Sequence, residues 1–348
     1  MGWLAGWNKR KSHVMTQQAG AGNHYQIPIK VYKGVGADGT EAYHDVTMGK
    51  VYCGGNCQND FGDIRFTASD GTTLLDYWMH DDVSSGVYAV FWVELTGDLT
   101  AGNVTIYIYY DTTGATATTE NMTNTFQVAE DDQETAIGAV PVGWVDNSEN
   151  TCSATVQNDQ FKYGDRSHKI NDCDAGVAKT TISGKSFSNY IVMDWYSRIK
   201  DCDYYARSSV SNGTKTANIY YDHGANHFSY LDASQYHAIA TLADNTWYHI
   251  QAYYDWVNQK FVGLYLDGVW HAGNWTMRNP EFFNVYHGAD QDAGTVGRLW
   301  IDCLFIRKYV SNVKGNDPAH GTWGTEETPP PPPLPDDPTD IRACCECI

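Results

Sequence analysis

The chain is poor in charge, and poorest in charge of one sign. Only 19% of its 348 residues are charged, with 23 Lys and Arg against 42 Asp and Glu, a net charge of −19. A field of that sign repels phosphate backbones, so nucleic acid is excluded as a partner. No apolar run reaches the length of a membrane-crossing helix, and insertion into a bilayer is not expected. Met1-Gly2-Trp3-Leu4-Ala5-Gly6-Trp7 lacks the basic and apolar regions of a secretory leader, so none is expected there. The chain has no internal repeat, phosphate loop, dinucleotide fingerprint or Gly-x-Ser-x-Gly elbow, and no organic cofactor is expected. Proline is scarce outside one place: seven of the 11 lie between Pro329 and Pro338.

Aromatic residues, by contrast, are abundant. They make up 14% of the chain, and 24 of them are Tyr. Tyr, Trp, Thr and Val suit pleated, half-buried surfaces, which predicts an all-β fold. The length exceeds one small core and predicts two domains, read as two β-sandwiches. Near the centre, Trp247 to Asp255 and Phe261 to Leu266 read as strands, followed by an Asp267-Gly268 turn. Asp-Gly reverses a chain sharply because Gly tolerates positive φ.

Residues 1–128 read as the first sandwich, with strands at Tyr25–Val31, Val87–Leu95 and Val104–Tyr110. Pro28 predicts an edge position for the first of these. Residues 129–140 form an acidic linker, 141–312 the second sandwich, and 313–348 a Pro-rich tail. Five consecutive prolines hold an extended polyproline arm with no internal hydrogen bonds. Ordering such an arm costs entropy, so it is expected to grip another copy of the chain as an assembly device.

Asp60-Phe61-Gly62-Asp63-Ile64-Arg65-Phe66, Gly71 to Trp78, Phe91-Trp92-Val93 and the Trp3/Leu4/Trp7/Arg10/Lys11 pattern together resemble the family called domain of unknown function 2341. That family recurs in archaeal, bacterial and phage surface proteins, often directly before a concanavalin-A-like domain, and carries no established catalysis. The second half resembles concanavalin-A-like/laminin-G-like jelly rolls. Pro141-x-Gly143-Trp144 matches their first strand, and Leu299 to Lys308 the last. The resemblances imply jelly-roll type for both sandwiches. Such modules bind surfaces and sugars. The resemblance implies a virion surface or extracellular setting.

Several residue groups carry candidate chemistry. Glu130-x-Asp132-x-Glu134 has the spacing of laminarinase-type carboxylates, but Asp131 and Gln133 would then face the core, so the segment reads as solvated linker. His223 and His227 read as a loop rather than a metal pair. Calcium is the expected metal because it takes loop-borne oxygen ligands. Asp302 lies where jelly rolls hold a structural ion, and Asp172, Asp174 and the Asp290-Gln291-Asp292 run are further candidates. Glycan contact needs flat aromatic faces beside oriented polar groups. Trp270, His271, Asn274 and Trp275 form one such cluster, and Tyr221, Asp222, Asn226 and Tyr230 a second. Nine cysteines suit an oxidising compartment. Cys53 and Cys57 flank a tight turn that a disulfide could close. Cys152, Cys173, Cys202 and Cys303 allow two bridges in three pairings. Cys344, Cys345 and Cys347 sit on the assembly tail.

These readings converge on a non-enzymatic structural or adhesion protein of a virion or extracellular appendage. Its expected partners are copies of itself, other virion or appendage proteins, and surface glycans. Two alternatives stand beside it: an archaeal cell-surface adhesin or sheath protein, and a glycan-degrading enzyme or its accessory carbohydrate-binding module.

Overall fold

The computed structural model describes residues 2–330 except 44, 113, 115–119, 174–175, 201–204, 223–225, 291–296 and 312–315, and not the side chains of 81, 82, 205, 222 and 290. Asp174, Cys202, His223, the acidic side chains at 222, 290 and 292, Cys344, Cys345 and Cys347 therefore lie outside the described residues. Those described form 24 strands and a single four-residue helix, the all-β fold that the composition predicts. No helix is long and apolar enough to cross a membrane.

The first sandwich contains β1 (Lys9–Met15), β2 (Tyr25–Tyr32), β3 (Gly39–Tyr43), β4 (Val46–Tyr52), β5 (Arg65–Thr67), β6 (Tyr77–Ser84), β7 (Tyr88–Leu95) and β8 (Val104–Tyr110), followed by α1 (Met122–Thr125). A five-stranded sheet runs β3-β4-β2-β7-β6. Its inner face packs Ile27, Ile29, Val31, Phe91 and Val93 against Ile106, Ile108 and Tyr110 of the facing sheet. Fully burying each such side chain stabilises the fold by about 1.5–3 kcal/mol. Pro28 is not on an edge: β2 lies between β4 and β7. The proline is tolerated because pairing with β4 begins only at Ile29, so its missing N–H lies ahead of that ladder.

The second sandwich contains β9 (Val128–Glu130), β10 (Val145–Asp146), β11 (Ser153–Gln157), β12 (Ser167–Asn171), β13 (Ala178–Ile182), β14 (Tyr190–Lys200), β15 (Tyr205–Ser211), β16 (Thr216–Asp222) and β17 (His227–Leu231). It continues with β18 (Tyr236–Thr241), β19 (Trp247–Asp255), β20 (Lys260–Leu266), β21 (Val269–Thr276), β22 (Val285–Asp290) and β23 (Arg298–Lys308). One sheet runs β10-β13-β22-β15-β16-β17-β18; the other runs β11-β12-β23-β14-β19-β20-β21, with β9 beside β23. Their inner faces share a core around Trp195, Met193, Ile219, Phe261 and Leu304. The Asp267-Gly268 turn forms as expected, with φ of 47° and 79°.

Two boundaries differ from expectation. Closing strand β23 pairs with β12, β14 and, ahead of the expected opening, β9, but not with Pro141–Trp144, where the Trp144 N–H closes a turn on the Pro141 carbonyl at 3.1 Å. The acidic segment is not a solvated linker either: it enters the sheet through β9, and Asp132 is 1% exposed.

The two sandwiches are joined face to face. Trp78 and Trp92, on the outer face of the five-stranded sheet, pack against Phe126 and Phe305. Beside them Arg307, 1% exposed, ion-pairs with Asp45 at 2.5 Å and with Asp317 at 3.2 Å. Gln251 and Tyr253 also donate to Asp45, and Tyr25 donates to Asp317. The chain then returns to the first sandwich as β24 (His320–Trp323), which extends the sheet β24-β1-β8-β5. The expected tail therefore begins on its own chain. Glu326 meets Lys9 at 3.0 Å, and Glu327 meets Arg10 at 2.7 Å.

Candidate functional site

The inter-sandwich packing leaves the second sandwich with one free sheet face. The outer residues of β14, β19 and β23 lie against the first sandwich. The outer face of the seven-stranded sheet faces solvent, and it carries a groove of about 820 Å³. Strand alternation decides its lining. On β16, Ala217, Ile219 and Tyr221 enter the core while Tyr220 turns outward. On β15 and β13, Arg207 and Lys179 turn outward between core residues in the same way.

At the groove's centre the Arg207 guanidinium donates two parallel bonds to Glu281, both 3.0 Å, and stacks 4.1 Å from the centre of the Tyr286 ring. Burial works against its charge, but the bonds to Glu281 and the neighbouring Tyr286 and Tyr220 outweigh it, and the pKa stays above the ordinary arginine value. Tyr286 folds across Gly288, where a Cβ would collide with its hydroxyl. Tyr220 meets Tyr236 edge to face at 5.3 Å, and Phe283 lies 5.2 Å from Tyr286. Two rings on the rim are open to solvent: Tyr236 is 46% exposed and Phe282 is 106% exposed. Lys179, on β13, lines the same groove and pairs with Glu149 at 2.7 Å. Flat rings around a few oriented polar groups are what a sugar surface requires.

The sequence-derived glycan residues lie elsewhere. Tyr221 is 1% exposed and hydrogen-bonds Trp195 and Ser208 inside the core. Tyr230 is also buried, stacked on Phe261. Trp270 and Trp275 both lie on β21 but on opposite faces, so they form no shared platform. Trp275 stacks on His237 at 4.5 Å against the core, and Trp270 meets Tyr253 at 5.5 Å. Between them His271 is half-buried and Asn274 exposed. Asn226 is exposed at a turn, where its carbonyl accepts the Leu242 N–H. His227 is half-buried in β17. The groove residues were missed because they come from separate segments. The one local signal is Pro280-Glu281-Phe282-Phe283, an aromatic pair in a loop.

The metal candidates separate as well. Asp302 is buried, and its carboxylate accepts the Lys162 and Tyr163 N–H groups at 2.6 and 3.1 Å. Ile301 faces His168, four residues from Asp172 along β12, a span of about 13 Å. Asp172 instead adjoins the Cys152–Cys173 disulfide. Those three side chains are the one group of three close potential ligands among the described residues, and both sulfurs are tied up in the bridge. The acid near Asp302 is Asp132, which has one carboxylate oxygen buried without a hydrogen-bond partner. Burial first, then the charges of Glu130, Asp302 and Asp131, push the Asp132 carboxyl well above its usual range. Burial likewise raises Glu130 to about 7. The charges of Glu130, Asp132 and Asp302 thus lie near one another, but their carboxylates do not close on one point as a three-ligand group. Cys53 and Cys57 are not bridged: both are buried thiols. Cys303 is buried beside Phe305 in the inter-sandwich cluster.

A family model described as "Domain of unknown function (DUF2341)" matches residues 60–147, which include the Asp60–Trp78 motifs. No curated protein matches. Among solved structures, the chain is similar to a sialidase at 12% identity and TM-score 0.40, over 60% of this chain and 20% of that one. It thus spans about a fifth of the sialidase's length. It is similar to the endo-β-1,4-glucuronan lyase of Trichoderma reesei at 11% identity and TM-score 0.38, over 53% and 98% of the two chains. It is also similar to the binding domain of botulinum neurotoxin serotype C1 at 12% identity and TM-score 0.37, over 55% and 51%.

The expectation of a chain without enzymatic activity does not stand, because two of these similar structures are of glycan-active enzymes. It rested on contiguous motifs, which do not reveal side chains brought together only across strands, as those lining the groove are.

Proposed function

We propose that the protein is a glycan-directed module, either a glycan-active enzyme or its accessory carbohydrate-binding unit, that engages sugar in the groove of the seven-stranded sheet. The observation that carries this reading is the groove itself: exposed Tyr236 and Phe282 flank an oriented Arg207–Glu281 pair on the one free face of the second sandwich. The Cys152–Cys173 bridge supports a virion-surface or other extracellular setting, because disulfides persist in oxidising compartments. Calcium is proposed at the buried Asp132 and Asp302, with backbone carbonyls or water completing its oxygen ligands. Assembly through the tail is proposed for the part beyond residue 330.

A glycan array probed with the wild type, Phe282→Ala and Tyr236→Ala tests the groove. Both rings are exposed, so their loss leaves the core intact. The wild type is expected to bind a restricted set of glycans and the variants to lose that signal. Binding that both variants retain would move the site elsewhere, and a wild type that binds no glycan would remove the reading.

A further inference from the structure

The groove has a length and a charge that narrow its ligand. Its lining runs from Val145 on β10 to Tyr236 on β18. Six interstrand spacings give about 29 Å, longer than any single pyranose, and the groove crosses the strands rather than ending in a closed pocket. The charge is set against the rest of the chain. The chain carries −19, yet the groove lining holds two cations, Lys179 and Arg207, against one carboxylate, Glu281. Glu149 at the groove's edge pairs with Lys179, so the strip is near neutral on an acidic body and repels anions less than the rest of the surface does.

The two cations are held differently. Arg207 is fixed by two bonds to Glu281 and by the face of Tyr286, so it acts as an oriented wall. Lys179 is held only by Glu149, whose side chain is 52% exposed. An exposed pair of this kind is worth little, and an incoming carboxylate can replace it at small cost.

Resting on the glycan reading above, we propose that the groove takes an extended, carboxylate-bearing polysaccharide, with Lys179 exchanging Glu149 for a carboxylate of the sugar chain. Glu149 then acts as an internal competitor that occupies the ammonium when no ligand is bound.

Calorimetry on the full chain with three probes tests this: a galacturonate hexamer, the same hexamer fully methyl-esterified, and monomeric galacturonic acid. The acid hexamer is expected to bind, more weakly as salt rises, and the monomer not to bind detectably. Lys179→Gln is expected to weaken the acid hexamer about five-fold and leave the ester unchanged, while Glu149→Gln strengthens the acid hexamer about three-fold. Equal or tighter binding of the ester would overturn the acidic assignment and leave the glycan reading intact. Monomer binding as tight as the hexamer would overturn the extended mode. Binding of none of the probes would overturn the assignment too, and the array decides the underlying glycan reading separately.

Discussion

Removing the Arg307 guanidinium should cost about as much as truncating one of the buried rings at the inter-sandwich face. Arg307 is 1% exposed and pairs with Asp45 and Asp317, both of which also accept bonds from buried groups. Arg307→Met keeps the stem and deletes the charge, leaving two carboxylates buried together without a cation. Breaking a buried pair from one side costs about 3–5 kcal/mol, mostly the desolvation of the charge left behind. Urea unfolding at pH 8 should show a loss of about 4 kcal/mol.

The loss should also depend on pH. Burial raises the Asp317 carboxyl above its ordinary value, and Arg307 opposes that rise. A carboxyl whose folded pKa is raised costs stability above its unfolded value, and the cost disappears as falling pH protonates it. Without Arg307 the cost is larger, so the variant's deficit should shrink as pH drops from 8 towards 5. The triple variant Arg307→Met/Asp45→Asn/Asp317→Asn removes every charge and should recover most of the loss, since a whole buried network is often near neutral against uncharged replacements. A deficit under about 1 kcal/mol, or one that does not change with pH, would refute the reasoning, because it would mean that water reaches these carboxylates.

Two further outcomes follow from buried titratable groups. Glu130, raised to about 7 by burial, costs stability as pH rises from its unfolded value through 7. Glu130→Gln should therefore raise stability at pH 8 by about 3 kcal/mol and at pH 5 by under about 1 kcal/mol in a melting experiment, and millimolar calcium should stabilise the wild type. Equal shifts at both pH values would refute the buried titration of Glu130, and no response to calcium would exclude the proposed cation. His13 and His320 hydrogen-bond at 2.8 Å where β24 docks, and burial lowers them to about 4 and about 3. Folded, they stay neutral, so below about 6.5 protons favour the detached state. Hydrogen exchange at residues 320–323, corrected for its intrinsic pH dependence, should quicken from pH 7 to 4, and His320→Gln should flatten that trend.

Much of the scaffold was legible from local pattern. Trp247 to Gly268 shows why: alternation and an Asp-Gly reversal are properties of neighbouring residues, and they produce β19, β20 and their turns directly. The Asp60–Trp78 motifs lie inside the matched family segment for the same reason. Reading failed where a residue's role depends on what packs above it. Pro28 looked like an edge residue because its tolerance comes from where the β4 ladder begins. Glu130 and Asp132 looked solvated because only the pairing of β9 with β23 buries them.

The amino-acid order by itself determined an all-β chain, its acidic field and the alternation within each strand, because these depend on composition and on the two-residue period of a strand. Only the tertiary structure decided which aromatic rings line the groove. Tyr220 and Tyr221 are adjacent and chemically alike, and one lines a groove while the other fills a core. That choice is made by which face of the seven-stranded sheet meets the eight-stranded one, where Trp195 of β14 donates to the Tyr221 hydroxyl across the core.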